Sequence, residues 1–302
     1  MERTIKDYLL ITLKGVSMGA ADVVPGISGG TIAFIVGVYE ELIESIKSIS
    51  LSSLKLFFTG KIAAFWKAVN ANFLIALVGG IAISVFSLAK TITYLLESYP
   101  ILVWAFFFGL MLASVWIIAK EVEKWNWKTI PCFIIGAIIA FLITMATPAE
   151  TPNGLWFIFL CGMVAICAMI LPGTSGSFIL ILLGKYKYIM DSVKEFDLPV
   201  IIVFIMGAIV GITSFSRILS YALRNFYTTM IAILSGFMLG SLNKIWPWKE
   251  IIEIHPDSHH IIKEINIWPN TLILESIGLA ILGFVIVFFL EKLSAKKTKE
   301  KM

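Results

Sequence analysis

The sequence has 302 residues, of which 59% are apolar and 15% charged, and its net charge at pH 7 is +4. Soluble domains carry about 25% charged residues, so this composition excludes an ordinary soluble protein and indicates an all-α polytopic membrane protein. So small a net charge gives no indication of a nucleic-acid partner.

The first predicted element is a helix that breaks at a glycine-rich turn. Apolar sequence runs from Tyr8 to Val24, the turn PGISGG follows at 25–30, and a second apolar arm covers Thr31 to Val38. The eight residues of this arm reach only ~12 Å as a helix and then meet acidic sequence, so the arm is too short to cross about 30 Å of hydrocarbon. The sequence therefore predicts a re-entrant hairpin whose turn lies near the bilayer midplane.

A basic, amphipathic segment and three apolar spans complete the first half. The segment, at about 50–72, is predicted to lie on the membrane surface. The spans are predicted at about 73–96, 101–119 and 130–147.

The second half repeats this order. The turn PGTSGS at 172–177 follows an apolar run, and its short arm covers Ser177 to Gly184, which predicts a second re-entrant hairpin. The later elements are three predicted spans, at about 198–223, 228–243 and 271–290. The loop between the last two, at about 244–270, is predicted to be external and polar, and a basic tail ends the sequence.

The two halves align with each other as an internal repeat. Equivalent pairs at offsets of 147 and 127 residues include Pro25 with Pro172, Gly26 with Gly173, Gly80 with Gly207, and Gly136 with Gly283. We therefore predict two repeats, at 1–150 and 151–302, within one membrane domain. Because each repeat holds an odd number of full spans, the second is inverted relative to the first, an architecture that recurs in transporters.

The placement of lysine and arginine gives the predicted orientation. With the N-terminus inside the cell, the cytoplasmic face receives most of these residues, among them Arg3, Lys47, Lys55 and Arg224. The positive-inside rule therefore predicts cytoplasmic termini and a multi-pass protein of the cytoplasmic membrane. Nothing in the sequence indicates a particular oligomeric state.

The two turns carry the candidate binding residues. Non-helical backbone survives in lipid only inside protein or beside water, so we expect a cavity between the halves at the turns. Glycine lets a ligand approach the backbone, and hydroxyls and helix N-termini donate to a phosphate or carboxylate. The candidates are Gly26, Ser28, Gly29, Gly30, Thr31, Gly173, Ser175, Gly176 and Ser177. The alternative is structural: the hydroxyls cap the half-helices and the glycines permit close packing.

Charged residues within apolar sequence add four candidates. Lys90 and Arg217 occupy equivalent repeat positions inside predicted spans, where a cation usually faces a partner or a water-filled path. Both are candidate phosphate contacts, with snorkelling to the membrane surface as the alternative. Asp22 and Lys14 lie in the first helix and are candidates for proton or sodium coupling or for an ion pair. No other cofactor is expected.

The sequence disfavours two further kinds of site, a serine nucleophile and a metal site. Gly26 to Gly30 matches G-x-S-x-G, but a serine nucleophile needs a base within hydrogen-bond reach, and the histidines lie in the predicted external loop. In that loop His255, Asp257 and His259 could chelate a metal. A solvated loop is the simpler interpretation, so no metal site is expected.

The two motifs together resemble a known family. PGISGGTIAFIVGVYEELI, approached by Asp22, and LPGTSGSFILILLGKYKYI are similar to the bacterial and archaeal polyprenyl-phosphate transporters. The resemblance implies a lipid transporter, not an enzyme, that returns undecaprenyl phosphate or a related polyprenyl phosphate to the cytoplasmic leaflet. This agrees with a midplane anion site that shelters only the phosphate head while the tail stays in lipid. The alternative is a transporter or channel for a small soluble anion or ion.

Overall fold

Helices account for most of the chain. The computed structural model describes residues 3–24, 26–254 and 261–299. The helices of the first half are α1 (Ile5–Asp22), α2 (Gly29–Ile35), α3 (Tyr39–Lys47), α4 (Leu51–Phe58), α5 (Ile62–Ala68), α6 (Ala71–Ser98), α7 (Pro100–Lys120) and α8 (Thr129–Met145). Those of the second half are α9 (Leu155–Ile170), α10 (Gly176–Leu182), α11 (Tyr186–Lys194), α12 (Leu198–Asn225), α13 (Tyr227–Ser241) and α14 (Ile273–Lys299).

Four of these helices have the length and composition of membrane spans, which confirms a membrane protein. They are α6, α7, α12 and the part of α14 from Ile273 to Lys292. The spans predicted at 130–147 and 228–243 correspond to α8 and α13, which have only 17 and 15 residues. Because these reach about 26 and 23 Å against a hydrocarbon core of ~30 Å, four of the six predicted spans are long enough among the described helices.

The breaks predicted from proline and glycine are confirmed. α1 ends at Asp22 and α2 begins at Gly29, while α9 ends at Ile170 and α10 begins at Gly176. The two half-helices have seven residues each, about 10 Å of rise, and each packs against the helix that precedes it. A short helix folded back on a longer one is therefore the local structure of both turns.

The longer helices pack in four pairs. Within each half, the first helix lies along the longest one, so that α1 pairs with α6 and α9 pairs with α12. The other two pairs join the halves, because α8 lies along α13 and α7 lies along α14. The two halves are therefore interlocked rather than placed side by side.

Glycines make these close helix contacts possible, and they occur in equivalent pairs under the two sequence offsets. Equivalent contacts are Gly80 on Thr12 with Gly207 on Phe159, and Gly136 on Ile233 with Gly283 on Phe106. In each, a Cβ on the glycine would lie 2.0–2.3 Å from a backbone carbonyl oxygen. Small residues of this kind let helix backbones approach closely in membranes.

The chain is mostly helical, as expected for an all-α membrane protein, and the predicted external loop adds one β-hairpin. β1 (Lys249–Ile254) pairs with β2 (Ile261–Asn266) in an antiparallel two-stranded sheet. Each strand contains three isoleucines, and this β-branched residue favours strand over helix. Indole N–H bonds from Trp246 to the Ile267 carbonyl and from Trp248 to the Thr271 carbonyl fix the hairpin against its flanks.

The segment at about 50–72 contains α4 and α5. Leu51 and Phe58 are 86% and 81% exposed, and basic residues lie between and after them. Exposed apolar side chains beside lysines are typical of helices that lie on a membrane surface, and that placement stays a prediction.

Candidate functional site

The first turn is held by its own hydroxyl and carboxylate. Gly26 has a φ of +89°, a left-handed conformation that glycine adopts without strain. Ser28 Oγ accepts a hydrogen bond of 3.0 Å from the Gly30 N–H and so caps α2. Asp22 Oδ1 accepts one of 2.6 Å from the Gly29 N–H. Two of the predicted anion donors are therefore engaged within the turn itself.

The second turn has the same conformation with different partners. Gly173 has a φ of +96°. Ser175 Oγ accepts a hydrogen bond of 3.2 Å from the Phe178 N–H and lies 3.2 Å from Ser177 Oγ. The offset of 147 places Met169 where the first turn has Asp22, so this turn lacks a carboxylate at that position.

The two turns bind each other. The Gly26 N–H donates a hydrogen bond of 3.1 Å to Ser175 Oγ, and the Gly173 N–H donates one of 3.0 Å to Thr31 Oγ1. Thr31 is fully buried and Ser175 nearly so. The helix breaks of the two halves therefore meet in the interior of the protein and exchange one backbone-to-hydroxyl bond in each direction.

The structure brings the predicted turn residues together, but it corrects the expectation of a cavity between them. Ser28 Oγ donates a hydrogen bond of 2.8 Å to the Met169 carbonyl at the end of α9. Cβ atoms on Gly30 and Gly176 would lie 2.5 and 2.7 Å from carbonyl oxygens of α9. The turns are thus in direct contact. Gly30 permits α2 to approach the end of α9 in the other half, and Gly176 permits α10 to pack on α9 within its own half, as the structural interpretation of the motif requires.

Asp22 and Lys14 both contact backbone groups of the first hairpin. The Asp22 carboxylate caps the amide of Gly29, and Lys14 Nζ donates a hydrogen bond of 2.5 Å to the Val36 carbonyl at the end of α2. Both contacts are to backbone groups, and the predicted ion pair stays a prediction. Both residues tie α1 to α2, and a role in coupling stays a prediction.

Lys90 and Arg217 are exposed on α6 and α12. Within the described residues, neither makes a hydrogen bond or an ion pair to a residue of the turns. The structure therefore separates these two cations from the buried turns, although both lie on helices that pack against the hairpins.

A polar cluster joins α3 to the C-terminal end of α12. Arg224 donates two hydrogen bonds to the Glu44 carboxylate, of 3.0 and 2.6 Å, and the Ser220 hydroxyl donates a third. Lys47 Nζ donates one of 2.8 Å to Ser220 Oγ. Burial alone would raise the pKa of Glu44, but the hydroxyl and the two cations together lower it below its ordinary value. A cavity of about 270 Å³ opens beside this cluster, between Glu40 and the side chains of α12.

A second charged cluster, which the sequence analysis missed, lies beside the first turn. Lys244 and Lys249 each place Nζ 2.8 Å from the same oxygen of Glu264, Oε1. A Cβ on Gly26 would lie 3.2 Å from Lys244 Cγ, so this cluster adjoins the turn. Burial and the neighbouring ammonium lower the pKa of Lys249, against the opposing effect of Glu264. All three residues fall in the region predicted as a solvated loop, and no local motif marks them.

An apolar groove of about 490 Å³ runs between α6, α7 and α14. Its walls include Ile92, Leu95, Val103, Phe106, Phe107 and Leu279. Trp104 directly follows the groove residue Val103 in α7, and its ring centroid lies 5.0 Å from Lys249 Nζ. The apolar groove and the cluster of Lys244, Lys249 and Glu264 therefore both contact the first part of α7.

The hydrolase and metal interpretations find no further support in the described residues. Ser28 contacts backbone groups, and its hydroxyl has no basic side chain among its described partners. The predicted metal ligands His255, Asp257 and His259 lie outside the described residues, as does His260.

Known proteins similar to this chain are described as lipid-phosphate transporters. A family described as undecaprenyl phosphate translocase-like matches residues 18–263. A polyprenyl-phosphate transporter of Vibrio cholerae is 47% identical over 82% of this chain and 80% of its own length. One of Staphylococcus aureus is 29% identical over 78% of this chain and 85% of its own length. No solved structure matches the chain. Because the family match spans most of the sequence, the chain belongs to the undecaprenyl phosphate translocase-like family.

Proposed function

We propose that this protein translocates undecaprenyl phosphate, or a related polyprenyl phosphate, between the leaflets of the cytoplasmic membrane, with both of its termini in the cytoplasm. The relatives are transporters of polyprenyl phosphate by name, and the four apolar spans fit a lipid substrate. The observation that carries the proposal is the pair of reciprocal bonds between the two turns.

The buried turns supply donors that a phosphate can use when the turns separate. Parting the halves frees the amides of Gly26 and Gly173 and the hydroxyls of Ser175 and Thr31. Four such groups on two sides suit the three oxygens of a phosphate monoester, since charge-assisted hydrogen bonds are stronger than the neutral ones they replace. In the structure as described, the turns satisfy each other, which keeps buried polar backbone paired when no head group is bound.

Inverted repeats with alternating access fit the unequal contacts of the two hairpins. α3 of the first half packs against α12, whereas its equivalent α11 makes no contact with α6 in the described part of the chain. We infer that the end at α3, predicted to be cytoplasmic, is closed, and that the end at α11 is open. Exchange of these two arrangements would present the turns to one leaflet and then to the other. The Glu44–Arg224 pair is the cytoplasmic gate in this scheme.

The remaining parts of the substrate have matching surfaces. The groove beside α7 is apolar and lies at the end that we infer to be open, where it suits the isoprenoid units next to the head group. Arg217 and Lys90 are candidate phosphate contacts at the lipid-facing surface of α12 and α6. Asp22 is the candidate for proton or sodium coupling, because its carboxylate ends α1 at the first turn.

Transport by purified protein in liposomes tests the proposal directly. Undecaprenyl phosphate is placed in one leaflet, and its appearance in the other is followed with and without the protein. The proposal expects protein-dependent translocation that inorganic phosphate alone does not support. Flux of a small soluble anion in vesicles free of polyprenyl lipid, with no lipid translocation, would show instead that the alternative of a soluble-anion transporter is correct.

A further inference from the structure

Two lysines share one carboxylate oxygen in the β-hairpin region, which leaves an excess of positive charge in a restricted space. Glu264 Oε1 accepts from both Lys244 and Lys249 at 2.8 Å. The side chains are only partly exposed, to 25% for Lys244, 12% for Lys249 and 24% for Glu264. One carboxylate cannot neutralise two ammonium groups, and partial burial makes the unpaired charge more costly than at an open surface.

This cluster stands at the turns rather than out in solvent. The Lys244 chain passes over Gly26 of the first turn, and its Nζ lies 4.9 Å from the ring centroid of Phe178 in α10, directly after the second turn. Lys249 Nζ lies over Trp104 of α7, the residue that follows Val103 of the apolar groove. The ammonium pair thus adjoins both turns and the groove that we assign to the lipid tail.

A phosphate monoester fits this arrangement better than the glutamate does. It carries nearly two negative charges at neutral pH and three acceptor oxygens, so one phosphate can accept from both lysines and balance their charge. Lysine binds phosphate as a point charge, which tolerates such a shared geometry. Glu264 Oε1 therefore marks a point at which one acceptor oxygen reaches both lysines.

We propose that Lys244 and Lys249 form an anion site for the phosphate head of a prenyl phosphate, and that Glu264 holds the two ammonium groups in place until the phosphate displaces it. The site lies at the end where α11 leaves α6 uncovered, so it is the first site that a head group reaches on its way to the turns. This inference rests on the proposed function and adds the residues that recruit the substrate.

Binding of farnesyl phosphate to the detergent-solubilised full chain, measured by titration calorimetry, tests the site. Lys244→Gln and Lys249→Gln are each expected to weaken binding about tenfold, the effect of one charge-assisted bond. Glu264→Gln is expected to tighten binding about threefold to tenfold, because it removes the competing anion. Lys244→Arg and Lys249→Arg keep the charge and are expected to retain most of the affinity. Lys194→Gln, at a 73% exposed position, is the matched loss of a positive charge and should change nothing.

The Glu264→Gln arm separates the site from a purely structural cluster. If the cluster only fastens the hairpin, this variant lowers the thermal unfolding midpoint and weakens or does not alter farnesyl phosphate binding, which overturns the proposal. Farnesol and inorganic phosphate are titrated in parallel to separate the lipid from the phosphate contribution. If the unmodified protein translocates undecaprenyl phosphate and the lysine variants bind and translocate normally, the site is wrong and the proposed function stands. If the unmodified protein does not translocate the lipid, the proposed function itself fails.

Discussion

The amide of Gly26 donates a hydrogen bond to the hydroxyl of Ser175, 149 positions further along the chain. The bond runs from the helix break of one half to the helix cap of the other. Its counterpart runs back from Gly173 to Thr31. The same two turns therefore close the centre of the protein and carry the groups that we assign to phosphate binding, so closure and binding compete for one set of donors and acceptors.

Thr31→Val is expected to weaken both functions of this centre. Valine matches threonine in shape but leaves the buried Gly173 N–H without its acceptor, which costs about 1–3 kcal/mol. The thermal unfolding midpoint should fall by about 2–6 °C. Translocation of undecaprenyl phosphate in liposomes should fall about tenfold, since a phosphate donor is also lost.

Ser114→Ala is the matched control for that experiment. Ser114 is also fully buried, but among the described residues its hydroxyl bonds only to the Leu110 carbonyl within its own helix. The alanine variant should therefore translocate at the normal rate. Equal losses in the two variants would mean that any buried hydroxyl matters, and the assignment of Thr31 to the centre would be wrong.

Neighbouring glycines in α6 are expected to differ sharply in their tolerance of a methyl group. A Cβ on Gly80 would lie 2.1 Å from the Thr12 carbonyl oxygen, whereas one on Gly79 meets nothing within 4 Å. Gly80→Ala must push α1 and α6 apart, at a cost of about 1–3 kcal/mol. Gly79→Ala should be neutral or slightly stabilising, because alanine favours helix. Thermal unfolding in detergent measures both, and similar midpoints would contradict the described packing.

The local breaks could be predicted from the sequence, whereas the contacts between them could not. Proline and glycine act on the backbone of their own residues, so PGISGG and PGTSGS mark where α1 and α9 end. Which donor meets Ser175 depends on how the two halves interlock, and no single-sequence pattern carries that relation. The expectation of a cavity between the turns was wrong for this reason. Buried backbone groups do need partners, but here each turn supplies the partner for the other.

The charged residues also show that the sequence alone does not predict long-range contacts. Arg217 was predicted as a phosphate contact because it interrupts an apolar span, but the structure places it on the exposed surface of α12. Lys244 and Lys249 sit in sequence that reads as a polar loop, and only the fold returns that loop to the first turn. The pairing of β1 with β2 brings Glu264 back to the two lysines, and no local sequence pattern predicted that pairing.

Glu44→Gln is expected to loosen the closed end of the protein. It removes the charge that holds Arg224 and so weakens the contact of α3 with α12. A cysteine at Leu223, which is 6% exposed and lines the adjoining cavity, reports on that contact. In a background with Cys132, Cys161 and Cys167 replaced by serine, labelling of Leu223→Cys by a water-soluble maleimide should rise severalfold in the Glu44→Gln variant. Glu41→Gln, which removes a carboxylate paired with Arg3 outside the cavity, should leave the labelling rate unchanged.

The same reporter should respond to acid in one direction only. Because the folded state lowers the pKa of Glu44, its contribution is present at neutral pH and is lost as pH falls through that lowered value. The labelling rate of Leu223→Cys, divided by that of Lys194→Cys at a 73% exposed position to cancel the loss of thiolate at lower pH, should thus be constant from pH 8 to pH 6 and increase only in stronger acid. A rise between pH 8 and pH 6 would mean that another group controls the contact.

Val103→Trp is expected to separate recognition of the lipid tail from recognition of the phosphate. The larger side chain fills part of the groove between α6, α7 and α14, where the first isoprenoid units are proposed to lie. Loss of that apolar contact should weaken farnesyl phosphate binding about tenfold and leave inorganic phosphate binding unchanged. Ile139→Trp introduces the same side chain at a 47% exposed position of α8 and serves as the control. If the two variants bind farnesyl phosphate equally well, the tail does not use this groove and the head group alone selects the substrate.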